Sequence, residues 1–134
     1  MDTAAKVLII GGLASLTYSF VMAFVLSRAR LADPMADRSR LLQVHVVTLW
    51  EGFMLLGLVW AVALSNLSNG VETFAAVLLV AAAALQAVSN TLAWRRDITN
   101  LFATKGPAYV MAATNAVLAA VGLVILLIGA LKGL

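Results

Sequence analysis

Hydrophobic positions along the chain gather into four runs, about Val7 to Ser27, Leu41 to Leu64, Phe74 to Trp94 and Ala108 to Leu131. Each is long enough to cross a hydrocarbon core, which takes about 20 predominantly apolar residues in a helix. The pattern predicts an all-α integral membrane protein, a four-transmembrane-helix bundle forming one domain over residues 1–134. The first run exceeds the roughly 7 to 15 apolar residues of a signal peptide. It also ends in Arg28 and Arg30 rather than a small-residue cleavage site, so it reads as a helix.

Polar and helix-breaking residues punctuate the runs. Ala32-Asp33-Pro34 closes the first, because Pro34 lacks an amide donor and disfavours helix before it, and Asp37 or Ser39 is placed to cap the second. Asn66 to Gly70 reads as a tight turn, with Asn69 and Glu72 in a capping arrangement. Gly106-Pro107 starts the fourth helix with proline where its missing N–H costs nothing.

Composition supports the membrane reading. With 63% hydrophobic residues and only 11% charged ones, the apolar surface cannot be hidden inside a domain this small. Nine Lys and Arg against six Asp and Glu leave +3, but the basic residues are dispersed without an aromatic-rich strip, so nucleic-acid binding is not supported. The charge encodes topology instead. The first and third connections carry Arg28, Arg30, Arg38, Arg40, Arg95, Arg96 and Lys105, whereas Lys6 and Lys132 lie near the termini. The positive-inside rule therefore places those two connections in the cytoplasm and both termini outside it, with Trp94 and Trp60 towards the two interfaces.

With the cytoplasmic charges as depth markers and about 1.5 Å of rise per residue, Tyr18, Glu51, Gln86 and Asn115 all fall about 14 to 17 Å deep. His45 and Asn90 share a level about 8 Å inside, with Tyr109 and Met22 near it. These residues outline a polar cavity biased towards the cytoplasmic side. His45, Thr48 and Gly52 form one stripe of the second helix, flanked by Glu51 about 120° from His45. Gln86, Ser89, Asn90 and Trp94 form a face of the third. Gly11, Ser15 and Ser19, four apart, read as a close-packing stripe. Polar residues such as Gln86 and Asn115 also serve simply as bonds between helices. Glu51 asks for more: an acid near the bilayer centre costs about 2.5 to 3.5 kcal/mol on insertion scales and needs compensation.

The absence of Cys excludes disulfides, thiolate metal sites and thioether-attached haem. One His per chain makes a closed tetrahedral zinc site untenable, whereas haem needs only one axial imidazole and leaves the opposite face open. A hydrolase triad has no identifiable nucleophile.

The four-helix layout, with His45-Val-Val-Thr-Leu-Trp-Glu51-Gly52 on the second helix and Val88-Ser89-Asn90 late in the third, resembles the bacterial styrene oxide isomerase family. Those are small membrane enzymes that bind haem b through a His on the second helix, form trimers and isomerise aryl epoxides to aldehydes. The resemblance spans about 90 residues, matching His45, Gly52 and the Ser89-Asn90 pair. It implies ferric haem b with His45 as axial iron ligand, and a substrate site formed by Glu51, Asn90 and Trp94. Glu51 stands where the family has an Asn that helps position the epoxide, and Trp94 where it has a Tyr. The implied chemistry is Lewis-acid opening of a hydrophobic epoxide followed by a 1,2-hydride shift, in a homotrimer with haem between chains. Tyr18, Gln86, Tyr109 and Asn115 are further cavity candidates. Two other classes stay open: a small proton-coupled transporter using Glu51, and a haem-based sensor or electron-transfer subunit.

Overall fold

The computed structural model describes residues 2–134. It comprises α1 (Thr3–Ala32), α2 (Ser39–Leu64), α3 (Asn69–Arg95), the single turn α4 (Leu101–Thr104) and α5 (Pro107–Gly133). The four long helices are all apolar enough to cross a membrane, and their 26 to 30 residues exceed the length a bilayer core requires. Phe20, Phe24, Trp50, Phe53 and Trp60 point outwards. That apolar shell is the surface lipid solvates, so this is an integral membrane protein with a helical bundle.

The helices run past the apolar stretches because polar groups finish them. Asp2 accepts the Ala4 amide at 3.1 Å and starts α1. At its other end α1 continues through Arg28 and Arg30 to Ala32. Asp37 takes the Ser39 amide at 2.8 Å at the head of α2. That amide bond, with the Ser39 hydroxyl adding to it, holds the Asp37 carboxyl below its ordinary range. Pro107 occupies the first turn of α5 as expected. The expected cap from Asn69 and Glu72 is not formed. Ser68 precedes the first helical residue and its carbonyl takes the Val71 and Glu72 amides, while Asn69 accepts from Thr73 and Glu72 is buried. The turn α4, which no apolar run announced, is started by the Asn100 side chain and stopped at Lys105 in the left-handed region.

Around the bundle α1 packs on α2 and α3, and α5 packs on α3 and α2; α2 and α3 also meet across the centre. One apolar cluster, including Leu8, Leu55, Val62, Leu79 and Leu126, fills the half near the α2–α3 turn. A second joins Met22, Leu26, Leu41 and Val44 with Trp94 near the basic end. Between the two clusters α1 and α2 touch backbone to backbone. A Cβ on Gly12 would lie 3.0 Å from the Gly52 carbonyl oxygen, and one on Gly52 the same distance from that of Gly12, so only glycine permits this approach.

The stripe Gly11, Ser15 and Ser19 is divided by this packing. Gly11 faces Val80 of α3 and Ser15 lines the α1–α3 groove, but Ser19 meets α2. The reason is helical drift, since successive steps of four residues rotate by about 40° around the axis.

Candidate functional site

His45 sits on the α2 stripe that faces α1, seven residues before Gly52, and the glycine contact brings α1 within reach of its ring. The fully buried Ser19 hydroxyl donates to the His45 carbonyl at 2.8 Å. The imidazole Nδ1 lies 2.9 Å from the Ser19 carbonyl and 2.8 Å from its hydroxyl oxygen. A carbonyl oxygen only accepts, and the hydroxyl proton is already committed to the His45 carbonyl, so Nδ1 carries the imidazole proton. The Nε2 lone pair is thereby left over, with no hydrogen-bond partner among the described residues. This is the tautomer that a metal-binding imidazole adopts when its other nitrogen is held by the protein.

Asn90 is buried on α3, and its azimuth lies between the residues facing α1 (Ala87, Thr91) and those facing α5 (Gln86, Ser89), which directs it into the bundle. Its Nδ2 is buried without a partner among the described residues. Glu51, six residues and about 9 Å beyond His45 along α2, has a buried Oε2 that is likewise unpartnered. Native interiors leave few such groups unsatisfied, and Arg38 Nε is the third among the described residues. An imidazole lone pair, an amide donor and a carboxyl oxygen thus keep unused hydrogen-bonding or ligating capacity, and no hydrogen bond joins any two of His45, Asn90 and Glu51.

The other expected cavity residues are bonded along separate seams rather than around one chamber. Tyr18 meets Thr91 at 2.6 Å, and Thr91 passes its own proton to the Ala87 carbonyl, linking α1 to α3. Asn115 donates to Gln86 between α5 and α3. Ser89, fully buried, donates to the Ala108 carbonyl at 2.6 Å. Tyr109 packs edge-on against Phe102 of α4, with ring centres 5.8 Å apart. Trp94 lies in the apolar cluster beside Met22 and Val44, with the Arg95 guanidinium 5.7 Å from its ring. Beside Tyr18 and Thr91 an apolar groove of about 400 Å³ runs between α1 and α3, walled by small residues such as Gly11, Ala14, Ser15 and Ala87.

Depth is where the sequence reading needs correction. Tyr18 belongs with Thr91 near the basic end, not in the Glu51 layer, and Ser19 is level with His45. Arg28 and Arg30 are poor markers because α1 carries them outward beyond the level at which α2 begins, so ten residues counted back from Arg28 place Tyr18 too deep. Gln86 and Asn115 were correctly placed level with each other. Ser19 and Thr91 escaped the sequence reading: a serine in a small-residue stripe reads as packing, and a helical threonine bonds its own backbone.

No group of three or more His, Asp and Glu side chains gathers among the described residues. Comparison with protein-family models, with curated proteins and with solved structures gives no match.

Proposed function

We propose that the chain is a haem b-dependent membrane isomerase that converts a hydrophobic aryl epoxide to an aldehyde. The reading joins the sequence resemblance to one observation: Ser19 fixes His45 with Nδ1 protonated and Nε2 free. That donor set fits haem, which needs a single imidazole from the protein and brings its own equatorial nitrogens. Ferric haem, when bound at that Nε2, would supply Lewis acidity.

The chain's own residues do the rest. His45 Nε2 would hold the iron, and Ser19 fixes the tautomer and orientation of His45. Asn90 has an unused amide donor for the epoxide oxygen as negative charge grows there. Glu51 offers a carboxyl to the same reaction: ionised, it offsets positive charge at the benzylic carbon; protonated, it donates to the departing oxygen. A hydride moves between adjacent carbons, so substrate and product are isomers and no reductant is consumed. Trp94 adds an aromatic wall near the basic end.

The assembly is a homotrimer with haem between chains, because four helices crossing at the usual angles enclose little room for a planar porphyrin. The proposal also includes a bacterial cytoplasmic membrane with the basic connections inside and both termini outside. Two measurements on purified protein test the function: a Soret absorbance band, and conversion of styrene oxide to phenylacetaldehyde without added reductant. Protein that lacks haem but moves lipophilic cations against a proton gradient supports the second reading, transport through the unpartnered Glu51.

A further inference from the structure

The opposite end of the bundle holds a second feature, which does not rest on the reading of His45. A cavity of about 540 Å³ opens where α1 begins and the α2–α3 turn passes. Its polar side is formed by Asp2, Ser65, Asn69 and Glu72, and its apolar wall by Ala5, Val59, Val62, Ala63 and Leu67. Among the described residues no Lys or Arg lines it.

Glu72 is the informative residue. It is only 4% exposed, it faces this cavity, and it has neither a hydrogen-bond nor an ion-pair partner among the described residues. Placement in the first turn of α3 suits its charge to the helix dipole, but an exposed carboxylate would serve the dipole equally well. Its carboxyl oxygens keep access to this cavity, where a carboxylate without a protein partner favours an occupant of opposite charge. Asp2 supports the same sign. One of its oxygens caps the Ala4 amide and the other is uncommitted among the described residues. Ser65 and Asn69 are partly engaged, by the Leu67 amide and the Thr73 hydroxyl.

Size and lining decide what kind of cation fits. A bare metal ion needs several oxygens converging at about 2.0 to 2.6 Å, with more ligands than two carboxylates supply. The cavity is far larger than that and half of its lining is hydrocarbon, in the size range of small-molecule sites. A zwitterionic lipid headgroup would bring its phosphate against two acidic side chains. We propose that this cavity binds a lipophilic ammonium ion, with Glu72 and Asp2 taking the charged head and the Val59, Val62 and Leu67 wall taking the apolar body.

The test is calorimetric titration of the purified full chain in maltoside detergent with 2-phenylethylammonium, using 2-phenylethanol and 3-phenylpropionate as neutral and anionic counterparts. Saturable binding of the ammonium alone is expected, weakened at least tenfold by Glu72→Gln, weakened less by Asp2→Asn, and unchanged by His45→Ala. Asp2→Asn keeps the α1 cap, so it reports on charge even where Glu72→Gln fails to fold. Equal binding of the alcohol, full affinity in both carboxylate variants, or displacement by calcium or by phosphatidylethanolamine would each overturn the assignment.

Discussion

Ser19 and His45 are joined in both directions across the α1–α2 seam, hydroxyl to carbonyl at 2.8 Å and imidazole Nδ1 to carbonyl at 2.9 Å. One residue thus satisfies the proton-bearing nitrogen of the chain's single histidine while anchoring the backbone that carries it. Removing the hydroxyl alone leaves the carbonyl acceptor in place. Ser19→Ala is therefore expected to lower haem affinity about tenfold, the lower end for loss of a group supporting a metal ligand. A Soret titration of the haem-free protein measures it.

The seam depends on the two glycines that let the helices meet. A side chain on Gly52 would collide with Leu16 and crowd the Gly12 carbonyl, with Leu16 Cγ 2.7 Å from the added Cβ. Gly52→Val should destabilise the bundle by about 1 to 3 kcal/mol, typical of overpacking. It should also weaken haem binding more than Ser19→Ala does, because it pushes α1, which carries both of His45's partners, away from α2. Thermal unfolding in detergent and the same titration give the two numbers.

The four helices were legible because a membrane imposes a length and an apolarity that a chain cannot disguise. His45, Glu51 and Asn90 were legible because polar groups are rare against that background. Which side chains meet was not. Sequence gives depth through charged residues and azimuth through the 3.6-residue period, but arginines carried outward past the start of α2 blur the first and the unknown rotation of each helix blurs the second. Tyr18 shows the consequence: grouped by depth with Glu51, it bonds Thr91 instead. Gln86 and Asn115 show the opposite case, where depth alone brought true partners together. The turn α4 rests on a few local capping bonds from Asn100, too short for any periodicity to announce.

Glu51 separates a structural carboxyl from a functional one. Its buried Oε2 has no partner, so replacing it with leucine should raise stability by about 1 to 3 kcal/mol, the cost of an unsatisfied buried polar group. The same change should impair isomerisation. Glu51→Gln keeps the shape and removes the ionisation, so any pH dependence of the wild-type rate that arises from this carboxyl should vanish in the variant while haem is retained. Unaltered rate and pH profile in both variants would make Glu51 a structural residue.

For Gln86 and Asn115 a purely structural role is expected. They bond each other across α3 and α5, away from the α1–α2 seam. A double-mutant cycle with leucine at both positions should return a coupling of about 0.6 kcal/mol and no more than about 1.7, the range measured for hydrogen bonds between membrane helices. Haem content should stay at the wild-type level throughout the cycle.

The central claim is that the free nitrogen of His45 holds a haem, and the visible absorbance spectrum of purified wild-type and His45→Ala protein tests it most directly. The wild type should show a Soret band at one haem per chain, and the variant should lose it while remaining folded in the membrane, since no other imidazole exists in the sequence. A wild type that stays colourless after incubation with haem, or a variant that keeps haem with an unchanged spectrum, would contradict the account.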